Sequence, residues 1–244
     1  MATQTEYNMK RKLGVIGGMG PFATALFMEL VIEMTEADKD SDHISMDIIN
    51  KPGIPDRTEY ILGRSGQNPV PEILRVKKEL EARGAEVLAM PCNTAFYFYE
   101  ELSRDGLPII HAIEETALCL KEAGVGCAGI LATDGTIQTK LFQKGLERLG
   151  IATVIPDDAH QKLVMSMIYD DVKAGKAIPA EKIRTVEKHL QDKGAEVLVL
   201  GCTELSQAKR NGLAGEGYLD TLEVMARKAV LECGVLKEKY QRLL

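Results

Sequence analysis

The chain has 244 residues, 45% of them apolar and 27% charged, with a formal net charge of −6. This is an ordinary composition for a globular protein with a sizeable core, and the acidic balance excludes the basic stripe of a nucleic-acid binder. No apolar run reaches the roughly 18 residues that span a bilayer, and the polar start Met1–Lys12 lacks a secretory signal, so a cytoplasmic protein with no membrane partner and a flexible leader over residues 1–11 is expected.

The first apolar run, Leu13–Ile16, predicts a buried parallel strand. It leads through Gly17-Gly18-Met19-Gly20-Pro21 into a helical pattern. Met46–Ile49 predicts a second strand. The stretch from Lys51 to Asn68 then reads as an unusually long loop holding Ile54-Pro55-Asp56-Arg57, and long loops often carry function. Ile73, Leu74 and Leu80 lie on a helical stripe ending at Gly84, which suits the left-handed position past a helix. Val87–Met90 and Leu107–Ile110 predict the third and fourth strands. In the second half, strands are expected at Ala128–Leu131, Thr153–Ile155, Val197–Leu200 and, weakly, at Tyr218-Leu219. Ile183, Val186 and Leu190 mark a helix ending at Gly194.

The two halves repeat each other. Gly84-Ala85-Glu86-Val87-Leu88 returns as Gly194-Ala195-Glu196-Val197-Leu198, and Cys202 follows Cys92 by the same 110 residues. The openings match at an offset of 115, Gly14 with Gly129 and Thr24 with Thr139. A unit this long is too large for a solenoid repeat and fits an α/β lobe. The expected fold class is therefore α/β: two similar Rossmann-like lobes with parallel sheets, related by a pseudo-two-fold axis. Ligands of open parallel sheets sit beyond the carboxyl ends of the strands, which puts the active site in the inter-lobe cleft. The lobes are expected over residues 12–111 and 112–212.

Pro91-Cys92-Asn93-Thr94 and Gly201-Cys202-Thr203-Glu204 both begin at a strand end and run toward a helix. Free N–H groups there favour a thiolate. A lone cysteine is usually a small buried hydrophobe, as Cys119, Cys127 and Cys233 read here. Recurrence at matched positions of two lobes sets Cys92 and Cys202 apart. Two bases facing each other across a cleft suit inversion of a stereocentre: one takes a proton from one face while the other returns a proton to the opposite face. Five cysteines with no CxxC pair fit free thiols in a reducing compartment.

Gly17-Gly18-Met19-Gly20-Pro21, Pro91-Cys92-Asn93-Thr94-Ala95 and Leu200-Gly201-Cys202-Thr203-Glu204 resemble the three signatures of the aspartate/glutamate racemase family, and the chain looks closest to its aspartate branch. The resemblance implies a homodimer that racemises an amino acid without pyridoxal phosphate, metal or other cofactor, and a last helix, within residues 213–244, packed on the first lobe. It implies catalysis by Cys92 and Cys202, with Arg57 and Lys162 binding carboxylates of a dicarboxylic substrate. Asn93, Thr94 and Thr133 are implied to bind the α-carboxylate or its neighbours. Thr203, Met19 and Gly20 fall in the same motifs as substrate-binding candidates, and Glu204 either relays to Cys202 or starts a helix. Phe96 stands where aspartate racemases often carry His, which predicts a less polar site near Cys92 or a shifted substrate range.

Three other readings stay open. Gly18-x-Gly20-x-x-Ala23 formally matches a dinucleotide fingerprint, although Pro21 sits at the turn and no acidic residue ends the second strand. A two-lobed protein could bind an amino acid without acting on it. Hydantoin racemisation, maleate isomerisation or a decarboxylation could use the same scaffold. His43, His111, His160 and His189 show no metal-ligand spacing.

Overall fold

The buried run Leu13–Gly17 forms strand β1 at the centre of the first sheet of a computed structural model, which describes residues 11–244. The expected leader lies outside the described residues except for Arg11, whose guanidinium donates to Glu232 and to the carbonyl of Glu86, both at 2.8 Å. After β1 come α1 (Pro21–Met34), β2 (Met46–Asn50), α2 (Arg57–Ile61), α3 (Val70–Ala82), β3 (Val87–Ala89), α4 (Tyr99–Leu102) and α5 (Ala112–Glu122). The second half runs β4 (Cys127–Leu131), α6 (Asp134–Gln138), α7 (Leu141–Glu147), β5 (Ala152–Val154), α8 (Asp158–Ser166), α9 (Ala180–Asp192), β6 (Val197–Leu200), α10 (Ser206–Arg210), β7 (Tyr218–Asp220) and α11 (Thr221–Cys233). A π-helical stretch, Met167–Val172, prolongs α8. No helix among the described residues is long and apolar enough to cross a membrane.

The strands form two parallel sheets, ordered β2-β1-β3 and β5-β4-β6-β7. The expected fourth strand of the first half shrinks to one parallel bridge, Leu88 to Ile109, held by Leu88 N to Pro108 O and Ile110 N to Leu88 O. It lies beside β3 as β7 lies beside β6, so both halves share one strand order.

The repeat also holds in packing. Gly14 pairs with Leu88, and Gly129 pairs with Leu198. A Cβ on Gly14 would lie 2.6 Å from Leu88, 2.9 Å from Ala85 and 3.3 Å from Leu80. On Gly129 it would meet Leu198 at 2.6 Å, Ala195 at 3.0 Å and Leu190 at 3.2 Å. In each half the glycine leaves room for the helix that precedes the third strand. Those helices end before Gly84 and Gly194, which take the left-handed φ of +83° and +95°.

The two halves share a core. Along β6, Val197 and Val199 join a core with β1, β3, α5 and α11, while Leu198 and Leu200 pack with Val164, Ile183 and Leu190 in a smaller one. This is the period-2 alternation of a sheet covered on both faces. Helix α11 packs on α1, α5 and β3, so the end of the chain lies against the first half.

Candidate active site

Cys92 and Cys202 end up in one place because each follows the third strand of its own sheet. Both keep extended backbone (φ −160° and −131°) before a 3-10 helix, Asn93–Phe98 in one case and Thr203–Leu205 in the other. Both are buried, 5% and 6% exposed. They line a single small pocket with Met19, Asp56, Arg57 and Thr58 of the first half and Thr133, Tyr169 and Lys173 of the second. Asn93, Thr94, Thr203 and Glu204 complete the lining.

Each cysteine motif reaches across to the other half. Thr94 Oγ1 lies 3.0 Å from the hydroxyls of both Thr133 and Thr136, at the start of α6. Glu204 occupies the position equivalent to Thr94, and its Oε1 would lie 3.2 Å from a Cβ on Gly20, at the start of α1. These exchanged contacts are what a pseudo-two-fold axis requires. Thr24 and Thr139 repeat as well, each donating to the carbonyl four residues back, Gly20 at 2.9 Å and Gly135 at 2.7 Å.

The two thiols have different surroundings. Cys202 Sγ donates to Glu204 Oε2 at 3.0 Å, and Lys173 Nζ donates to Glu204 Oε1 at 2.7 Å. Burial, and then the Glu204 carboxylate, raise the Cys202 thiol well above its usual range. This corrects the expectation that the strand-end position makes a thiolate there: complete desolvation beside a carboxylate outweighs the backbone N–H groups. Burial lowers the Lys173 ammonium, but Glu204 together with the two cysteines raises it on balance.

Arg57 lies on the Cys92 side. Its guanidinium donates to the carbonyls of Pro55 (2.8 Å), Met19 (3.1 Å) and Ile54 (3.2 Å). Burial would lower its pKa, but the neighbouring Cys92, Asp56 and Glu204 turn the net shift upward. Two buried polar atoms of the lining lack a partner among the described residues, Arg57 Nε and Asn93 Oδ1.

The structure gathers most of the expected site residues: Cys92, Cys202, Met19, Arg57, Asn93, Thr94, Thr133, Thr203 and Glu204 all line the cavity. Gly20 stands just behind Glu204. Lys162 does not join them. It is exposed on α8 in a neighbouring groove with Asp134, Gln161 and Met165, which touches the cavity only through Tyr169. Lys173 supplies the second cation instead. Lys162 and Lys173 are eleven residues apart, about three helical turns, so spacing alone does not separate them.

Asp56, Thr58 and Tyr169 were missed as well. Tyr169 donates to Asp56 Oδ2 at 3.2 Å, a bond between the two halves at the pocket lining. The stretch from Lys51 to Asn68 is no plain loop, since Asp56 caps α2 by accepting from Glu59 N at 3.0 Å. Asp-x-x-Glu is a capping-box pattern, so the signal was present.

Phe96 is outside the lining, with ring centroids 4.9 Å from His111 and 5.9 Å from Tyr99. It therefore does not make the cavity less polar. The histidines also differ from the sequence expectation: α8 and α9 pack side by side and bring His160, His189 and Asp157 together, the two rings stacked at 3.7 Å. The trio satisfies itself, with Asp157 bonded to His160 Nδ1 at 2.6 Å and its N–H donating to His189 Nε2 at 3.3 Å. At the proposed dinucleotide fingerprint, Gly20 faces the Glu204 carboxylate, the wrong charge to receive a phosphate.

Two parallel sheets, with one buried cysteine of each half lining a shared pocket, are the two-sheet α/β arrangement of the amino-acid racemases, which are isomerases. The chain belongs to the Asp/Glu/hydantoin racemase family, whose model matches residues 16–229. It is similar to an aspartate racemase from Picrophilus torridus, at 32% identity and a TM-score of 0.84 over 95% of this chain and 98% of that one. An aspartate racemase homologue from Pyrococcus horikoshii superposes with a TM-score of 0.73 at 26% identity, covering 91% of this chain and 98% of its own. The broad specificity amino-acid racemase RacX of Bacillus subtilis is 28% identical over 230 residues, 89% of this chain and 96% of RacX.

Proposed function

We propose that the protein racemises a dicarboxylic amino acid, aspartate first, by moving protons between the substrate and two thiols without pyridoxal phosphate or metal. The observation that carries this reading is the pair Cys92 and Cys202, matched by repeat position, in one pocket beside a buried guanidinium with a free N–H. A two-base inversion needs one thiolate and one thiol at the start. Burial and Glu204 raise the Cys202 thiol, so the direction written here takes Cys202 as the acid and gives the base's role to its partner across the pocket. Cys92 takes the α-proton, and the C–H electron pair passes into the adjacent carboxylate. Cys202 then gives its proton to the opposite face, leaving a Cys92 thiol and a Cys202 thiolate. The reverse reaction starts from that state.

Charge developing on the α-carboxylate needs fixed donors in a site closed to water. Arg57 Nε and the cluster of Thr94, Thr133 and Thr136 hydroxyls offer them on one side. Lys173 offers a second cation, which favours a dicarboxylate. Similarity to a broad specificity racemase keeps glutamate and other amino acids in view.

Free thiols throughout fit a cytoplasmic protein. Exposed Phe22, Ala25, Met28 and Ile32 form an apolar stripe on α1, which supports a homodimer. Incubation of purified protein with L-aspartate, L-glutamate and their enantiomers, followed by chiral chromatography, tests the function. Interconversion of at least one pair is expected without added cofactor, and no interconversion of any pair refutes it.

A further inference from the structure

The hydrogen-bond directions behind Asn93 show which face of its amide the cavity sees. Asn93 is 2% exposed, and its side chain lies 2.6 Å from Thr221 Oγ1. Thr221, the first residue of α11, is fully buried, and its hydroxyl lies 2.8 Å from the carbonyl of Leu200. A carbonyl can only accept, and a hydroxyl has one proton. That proton goes to Leu200 O, so toward Asn93 the hydroxyl can only accept. The amide must then turn its NH₂ toward Thr221. The reversed amide would set two oxygens 2.6 Å apart with no proton for one of the two contacts. With one N–H of the amide given to Thr221, Asn93 Oδ1 is left buried and without a partner among the described residues, on a residue that lines the pocket.

We infer that Thr221 is a positioning and specificity residue: it locks Asn93 so that the cavity presents a hydrogen-bond acceptor, which selects acids bearing an ammonium over acids that lack one. This rests on the amino-acid racemase function proposed above and assigns the group that reads the ammonium of its substrate. An acceptor there would repel a carboxylate oxygen and would be stranded by a ligand with no donor. Arg57 Nε, the other unpartnered atom of the lining, is a donor. Together they match the carboxylate and the ammonium of one zwitterion.

Calorimetric titration with aspartate and with succinate, which lacks the ammonium, tests the inference without relying on turnover. The unaltered protein is expected to bind aspartate more tightly than succinate, by on the order of tenfold or more, the range of a hydrogen bond to a charged group. Thr221→Val should bring the two affinities together, and Thr221→Ser should restore the preference. A merely structural role for Thr221 would weaken both ligands alike. Should the valine variant fail to fold, Asn93→Ala is expected to lose the same preference. A preference unchanged in the valine or alanine variant, or absent from the unaltered protein, overturns the inference while the carboxylate reading stands. Binding of neither ligand by the unaltered protein overturns that reading and this one with it.

Discussion

Glu204 joins the Cys202 thiol to the Lys173 ammonium. It accepts from the thiol at 3.0 Å and from Lys173 at 2.7 Å, and it is 4% exposed. Glu204→Gln keeps the shape, removes the charge and leaves one carbonyl oxygen for two donors. Because Glu204 is the second cause of the raised Cys202 thiol after burial, the variant thiol should ionise at lower pH while staying above its free value. Alkylation of Cys202 measured against pH checks this, and an unmoved profile would refute the account of the pair. Racemisation should fall on the order of a hundredfold, as for loss of a group that directs proton transfer. Stability should fall by about 1–3 kcal/mol, less than for a fully buried pair, because Lys173 keeps some contact with solvent.

At this scale the sequence was readable where a residue sits in a repeated motif, as Cys92 and Cys202 do. It was not readable for Lys173. That lysine reaches the cavity through a π-helical stretch, whose phase shift no periodicity announces.

At the scale of elements, Gly14 and Gly129 allow a direct test of the duplication. An added methyl at either position meets the side chains that β3 and α3, or β6 and α9, bring to the sheet. Gly14→Ala and Gly129→Ala should each destabilise by about 1–3 kcal/mol, the usual cost of overpacking. Urea unfolding that showed one variant harmless and the other severe would mean the halves are not packed alike.

The strand carrying Asp220 predicts a pH dependence. Asp220 caps α11 and accepts from Ser206 Oγ and Leu222 N, at 2.8 and 2.9 Å. Its carboxyl is raised to about 7, by burial first and by Glu223 second. The unfolded chain releases that proton near pH 3.9. Between the two values the folded state holds a proton that the unfolded state lacks, so this group's contribution is complete at low pH and is lost as pH rises through about 7. Unfolding free energies at pH about 4.5 and 7.5 should drop by roughly 2–4 kcal/mol more in the parent than in Asp220→Asn. Equal drops would contradict the buried acid. Most strands were legible because both faces of each sheet are covered, which makes their runs uniformly apolar. Leu107–Ile110 looked the same, but at the sheet edge it makes only one bridge.

At the scale of the whole molecule, the duplication explains why two thiols line one pocket. Strands of the same order carry the same motif to the same end, and each motif contacts the first helix start of the other half. The inter-lobe cleft was legible from that repeat alone. The shared core was not, because the packing of α11 against β3, β7 and α5 depends on which helix faces meet in the folded chain, and spacing within one half says nothing of it.

The central claim is that Cys92 and Cys202 serve opposite faces of one stereocentre. Proton exchange at the α-carbon in heavy water, followed by nuclear magnetic resonance for L- and D-aspartate in parallel, tests it most directly. Cys92→Ser and Cys202→Ser should both lose racemisation, and any exchange that survives should be confined to one enantiomer, opposite in the two variants. Surviving racemisation in either variant, or exchange of the same enantiomer in both, would contradict the account.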